Sequence, residues 1–152
     1  MDKTDRAILA HLMKDGRLAN IELADRVGLS PSPCLRRVRQ LESSGVITGY
    51  YAAVNPAAIG RAFHVLLHVE MALQDRATIE AFEAEVRRLE EVVHCRRMFG
   101  QPDYLLSIAV ADLDAYEHLY MTKLTDLPGV ARTNSQFTMT TVKTTPGFPS
   151  IP

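Results

Sequence analysis

Three arginines, Arg36, Arg37 and Arg39, crowd into one stretch, "GLSPSPCLRRVRQLESSG", directly behind Pro31 and Pro33. A guanidinium is a planar fork of N–H donors that keeps its charge throughout the physiological range, so such a cluster suits phosphate, carboxylate or the acceptor edge of guanine. Gln40, one residue beyond, carries the amide that pairs with adenine, while Ser30 and Ser32 offer hydroxyls fitted to a backbone phosphate at a helix N-terminus. The chemistry on offer is anion binding. A solvated basic face is the plainer reading of the same charges, and the element that carries them decides between the two.

The prolines mark that element's start. First-turn amides have no acceptor inside a helix, so Pro31 at the first helical position and Pro33 two later lose nothing, with Ser30 or Ser32 as the cap. At about 100° per residue, Cys34, Leu35, Val38 and Leu41 share one side. Ser32, Pro33, Arg36, Arg37, Arg39 and Gln40 spread over the other, with only Glu42, near the margin, to oppose the arginines. Ahead of this helix the pattern predicts one from about Lys3 to Lys14, capped by Asp2, with Ile8, Leu9 and Leu12 inward and Gly16 as the stop. Another follows after Asn20, buries Leu23, Ala24 and Val27 and ends at Gly28. The connection "VGLS" then makes a helix-turn-helix, a motif whose second helix enters the major groove by its N-terminal end. In that position the arginines face double-stranded DNA.

After Gly45, "VITGYYAAVNP" reads as a short strand and a connector. The rest alternates strand, helix, strand, strand, helix, strand. Phe63, Val65, Leu67, Val69 and Met71 alternate with His64, Leu66, His68 and Glu70. Thr78 is expected to cap a helix carrying Ile79, Phe82, Val86 and Leu89 inward. "VVHCRRMF" and "YLLSIAV" are strands around the turn "GQPD"; Asp112 caps a second helix with Leu113, Tyr116, Leu119 and Tyr120 inward; "VARTNSQFTMTTV" supplies the last strand. This order is the split βαβ, ferredoxin-like plan. The fold class is α+β. Its boundaries fall at 1–50 for the helical domain, 51–62 for a strand and linker, 63–143 for the sandwich, and 144–152 for a tail too rich in Pro and Gly to extend a regular element.

Bulk properties narrow the function. The 152 residues, 47% of them hydrophobic, can bury a core. Residues 1–60 hold 8 basic and 6 acidic side chains, net +2, against 9 and 12 in residues 61–152, net −3. The basic part is thus the one to sit near an anion. No run reaches the roughly 20 apolar residues of a membrane span and the start lacks a signal peptide's core, so a cytoplasmic, nucleoid-associated protein without a membrane partner is expected. Cys34 and Cys95 show no pairing motif and read as packing residues. His64 and His68 are four apart on a strand, roughly 13 Å, too far for one metal. No metal, cofactor or catalytic residue is expected: there is no GxSxG, Walker loop or GxGxxG. Asp103, in the turn between two central strands, could hold a ligand's ammonium group or serve simply as a turn residue. The sheet's open face, with Leu66 among His64, His68 and Glu70 and with Leu105, Ser107 and Ala109, is most simply covered by another subunit.

The segments "GLSPSPCLRRVRQLE", "GVITGY", "LEEVVHC", "GQPDYLL" and "LPGVARTNSQFTMTTVK" together resemble the Lrp/AsnC (feast/famine) family of transcriptional regulators over almost the whole chain. The resemblance implies a winged helix-turn-helix domain joined to a ligand-sensing αβ sandwich of the RAM/ACT-like type. It further implies a homo-oligomer, a dimer that assembles on to octamers, and an amino acid or related small molecule as effector. The family's G-x-x-D-Y turn stands here as Gly100, Gln101, Pro102, Asp103 and Tyr104. Thr133, Ser135, Gln136, Phe137 and Thr138 occupy the last-strand stretch that contributes in relatives. Departures from the family's pattern are polar Gln101, Pro102 beside it, and polar Gln136. The alternative function is an amino-acid sensor that regulates a partner enzyme by protein contact, its N-terminal domain serving as the dock.

Overall fold

The computed structural model describes residues 1–143; the expected tail, 144–152, lies outside the described residues. Contacts divide the chain into two compact units, one built on Met1–Ala53 and the other on Val54–Thr141.

The first unit holds three helices, α1 (Lys3–Lys14), α2 (Asn20–Arg26) and α3 (Pro31–Ser43). Asp2 caps α1 as expected, and does so reciprocally. The Asp5 N–H donates to Asp2 Oδ1 at 2.8 Å, and the Asp2 N–H donates to Asp5 Oδ2 at 3.0 Å. Two of the four orphan amides of the first turn are thereby satisfied, an arrangement worth about 1 kcal/mol. Gly28, at φ +68°, ends α2 in the left-handed conformation that a side chain resists. Ile8, Leu9, Leu23, Ala24, Cys34 and Leu41 form the core.

Three expectations fail here. Ser30 stands at the N-cap of α3 but its side chain makes no capping bond; Pro33, at the third helical position, has removed one of the two amides such a cap would accept. Leu35, 38% exposed, lies off the buried stripe of Cys34 and Leu41. Residues 46–55 form no strand. No strand among the described residues pairs with them, and β-branched and aromatic residues do not make a strand without a pairing neighbour. Tyr51 is 86% exposed and Val54 55%.

The second unit opens with a short 3₁₀ turn, Pro56–Ile59, capped by Asn55. Then follow β1 (Phe63–Met71), α4 (Arg76–Val86), β2 (Val92–Arg97), β3 (Tyr104–Val110), α5 (Leu113–Leu119), a π turn (Tyr120–Leu124) and β4 (Val130–Phe137). The four strands are antiparallel in the order β2-β3-β1-β4, the split βαβ plan. Alternation in β1 works as read: Val65, Leu67 and Val69 are buried with Leu106, Ile108, Phe82, Val86, Tyr116 and Leu119. On the opposite face, Leu66 is exposed while His68, Leu105 and Ser107 are half-buried. Ala109, expected there, is buried at a point where Arg61 donates to its carbonyl at 2.9 Å.

Two helix details also differ from the sequence reading. Asp75, not Thr78, caps α4, accepting the Thr78 N–H at 3.1 Å and the Thr78 hydroxyl at 2.6 Å. Thr78 is the third residue of the helix, and its own amide needs the cap. Leu113 is 52% exposed, since the first position of α5 precedes the turn that faces the sheet. Tyr116 and Tyr120 fasten α5 and its extension to β4 through hydroxyl pairs with Ser135 at 2.6 Å and Thr133 at 2.7 Å. No helix among the described residues is long and apolar enough to cross a membrane.

Candidate functional site

The start of α3 is tied to the start of α2: Asn20 Nδ2 donates to the Pro31 carbonyl at 2.9 Å. Beyond that anchor, Ser32, Arg36, Arg39 and Gln40 are exposed on one broad face, with Pro33 and Arg37 half-buried at its edge. Among the described residues Arg36 and Arg39 have no ion-pair or hydrogen-bond partner, so their donors are available to an anion. Glu42 is engaged elsewhere, accepting the Tyr50 hydroxyl at 3.0 Å. Arg37 corrects the expectation that only Glu42 opposes the cluster. Its Nη1 donates to Asp2 Oδ2 at 2.6 Å and to Asp5 Oδ1 at 2.8 Å, carboxylates contributed by α1.

A second feature is a cleft of about 770 Å³ where β1 and β2 end and the 98–103 turn begins. Met71, Met98 and Phe99 give it apolar walls, and Glu70 and Arg97 set opposite charges along it. Gly100, Gln101, Asp103 and Tyr104 line it too. Gly100, at φ +116°, adopts a backbone conformation open to glycine. Asp103 braces the turn, its Oδ2 accepting the Met71 N–H and its Oδ1 the Gln74 side-chain amide, both at 2.7 Å. A carboxylate has about four lone-pair positions, so two remain for a ligand's N–H groups. Tyr104 is mostly core: 2% exposed, its ring 4.5 Å from that of Phe82, its hydroxyl donating to Glu83 at 3.0 Å.

The last-strand residues do not join that cleft. Thr133 and Ser135 pair with Val69 and Leu67, so their hydroxyls face the helices and are used by Tyr120 and Tyr116. Phe137 packs edge-on against Tyr116 at 5.8 Å. Gln136, opposite Leu66, belongs to the other face. Thr138, just past β4, donates its N–H to the His64 carbonyl at 3.0 Å.

Comparison with known proteins matches residues 1–48 to the winged helix-turn-helix DNA-binding family and residues 64–148 to the Lrp/AsnC ligand binding domain. The chain belongs to the Lrp/AsnC family. It is 43% identical over 143 residues to the leucine-responsive regulatory protein of Salmonella typhimurium, covering 94% of this chain and 87% of that one. A transcriptional regulator of Neisseria meningitidis, solved in complex with L-Met, superposes with a TM-score of 0.92 at 38% identity, over 98% of this chain and 96% of that one. An AsnC family regulator from Agrobacterium tumefaciens gives 0.92 at 34%, over 98% and 97%. This Lrp/AsnC protein is accordingly a DNA-binding transcriptional regulator, with its helix-turn-helix on the basic half and the ligand-binding domain on the acidic half.

Some features of this family member had no signal in the sequence. Asp2 and Arg37 are 35 residues apart, Gln74 and Asp103 are 29 apart, and neither separation belongs to a local motif. Asp2 as the cap of α1 was legible; its reciprocal bond with Asp5 and the arginine that joins the two carboxylates were not. Tyr104 yields a titration that can be measured. Burial first, and then its bond to the Glu83 carboxylate, push its hydroxyl up from 10.0 to about 12. The folded state holds the proton more tightly, so the stabilisation is complete below pH 10.0 and is lost as pH rises from there to about 12. Unfolding by urea across that window should show a decline that Tyr104→Phe makes shallower; an unchanged slope in the variant would exclude Tyr104 as a source of it.

Proposed function

We propose that α3 enters the major groove of duplex DNA as a recognition helix. Arg36, Arg39 and Gln40 are its base- or phosphate-reading groups, and Ser30, Ser32 and Pro33 meet the backbone beside its N-terminus. The observation that carries this reading is the pair of exposed guanidinium groups, without a partner among the described residues, on the second helix of the helix-turn-helix. The protein would work as a homo-oligomer, dimer or octamer, on DNA in the cytoplasm.

An amino acid or related small molecule would tune DNA binding or assembly from the cleft at Gly100, Gln101, Asp103 and Tyr104. Opposite charges at Glu70 and Arg97 suit a zwitterion, and the apolar walls suit its side chain. The L-Met complex of the Neisseria relative supports the ligand class. Of the β4 set, Gln136 and Thr138 would contribute from a neighbouring copy, whereas Thr133, Ser135 and Phe137 shape the strand that carries them.

The test is fluorescence anisotropy with the protein's own upstream DNA and a scrambled duplex, at two salt concentrations, with and without a mixture of amino acids. Tighter binding to the upstream DNA, weakening with salt and shifted by the mixture, is the expected result. No DNA binding under any condition would overturn the proposal.

A further inference from the structure

Arg37 belongs by position to the recognition face, yet its two carboxylate partners, Asp2 and Asp5, are the cap and the first turn of α1. Every carboxylate oxygen of Asp2 and Asp5 accepts a hydrogen bond. Asp2 Oδ1 accepts the Asp5 N–H, Asp5 Oδ2 accepts the Asp2 N–H, and the two remaining oxygens accept Arg37 Nη1. Four hydrogen bonds, one to each carboxylate oxygen, close a ring that joins the first turn of α1 to the middle of α3.

Several physical terms favour this ring. The carboxylates sit at the positive end of the α1 dipole, and without them a guanidinium there would be repelled. The Asp5 side chain is 17% exposed and that of Arg37 32%, so solvent and salt screen the contact less than an open surface pair. The capping bond from the Asp5 amide, and then Arg37, hold the Asp2 carboxyl below the usual carboxylate range, and Asp5 and Asp2 hold the Arg37 guanidinium above its ordinary value.

Geometry gives the ring a job. Asn20 fixes the first residue of α3 through the Pro31 carbonyl. Arg37 lies six residues further along, about 9 Å at 1.5 Å per residue. One attachment lets a rod pivot, and a second one along its length sets its direction. Resting on the reading of α3 as the DNA-recognition helix, we propose that Arg37 is a positioning residue. By clamping the capped start of α1 it sets the angle at which α3 meets the groove, and it does not itself contact DNA. The rival account is that Asp2 and Asp5 mask an arginine that would otherwise bind phosphate.

The two accounts predict opposite signs. Anisotropy titrations of the whole chain against upstream and scrambled duplexes, over a salt series, would compare Arg37→Gln, Arg37→Lys, Asp5→Asn and the Arg37→Gln/Asp5→Asn double variant. Circular-dichroism melts would confirm that each is folded. A clamp predicts that Arg37→Gln and Asp5→Asn each weaken upstream binding by about 5–10-fold. It predicts a wild-type salt slope for both, since no phosphate contact is lost. The double variant should lose no more than either single change, because both break the same ring. Arg37→Lys should rescue in part with the wild-type salt slope, since both bonds leave a single nitrogen, Nη1, and an ammonium also has donors for two carboxylates.

Tighter binding with a steeper salt slope in Asp5→Asn would overturn the proposal and establish the masked phosphate contact. So would a slope lowered by about one in Arg37→Gln and restored by Arg37→Lys. Arg36→Ala is the control for the underlying reading. If it too leaves DNA binding unchanged, α3 is not the recognition helix and the clamp has nothing to aim.

Discussion

Gly129→Ala is expected to destabilise the second unit by about 2–5 kcal/mol, the sum of a backbone and a packing cost. Gly129 sits at φ +72°, where an L side chain is strained. A methyl built there would lie 2.1 Å from Thr78 Cγ2 and 3.0 Å from Met71 Cε. The methionine end can swing away. Thr78 cannot do so freely, because its hydroxyl is held by Asp75 at 2.6 Å and rotation would break that bond at the start of α4. Urea unfolding followed by circular dichroism measures the loss, and Thr78→Ser separates its parts. Serine keeps the hydroxyl and lacks Cγ2, so in that background Gly129→Ala should recover the packing share and retain the backbone share. A loss below about 0.5 kcal/mol in the single variant, the size of an ordinary surface change, would contradict the close approach.

The second large effect concerns DNA. Arg36→Ala combined with Arg39→Ala should weaken duplex binding by about 30-fold or more, taking about 1–3 kcal/mol for each guanidinium. The manner of the loss distinguishes their roles. If both neutralise phosphates, affinity falls alike on upstream and scrambled DNA, and the salt slope drops by about 2. If either reads a guanine edge, upstream binding falls further than scrambled binding and discrimination relaxes at one base pair. An affinity within twofold of wild type on both duplexes would remove α3 from the interface.

Much of this architecture was readable in the residues because its signals are local. Asp2, Pro31 and Asp112 announce helix starts through groups a few residues away, and alternation along Phe63–Met71 declares which face of β1 is buried. Local signals also misled. Residues 46–55 have the composition of a strand, but a strand needs a neighbour, and composition cannot supply one. Thr78 looked like a cap because threonine caps helices; Asp75, three residues earlier, competes with a carboxylate that accepts more strongly. The site divides the same way. The arginine face followed from a 100° rotation per residue, whereas the partners of Arg37 and Asp103 come from contacts some thirty residues away along the chain. The β4 hydroxyls of Thr133 and Ser135 illustrate the limit: register with β1 turns them toward Tyr120 and Tyr116, and register is a property of two strands rather than one.

The sheet order leaves β2 and β4 as its two borders. Along each border a row of amides and carbonyls faces outward, a template on which a stray extended segment could dock and begin a fibre. Exposed charge stands guard at both margins, Arg96 and Arg97 on β2 and Arg132 on β4. A like strand laid alongside would set cation against cation, and lateral growth stops before it starts. The sandwich can thus be present at high local concentration and still remain a discrete particle rather than a seed for aggregation.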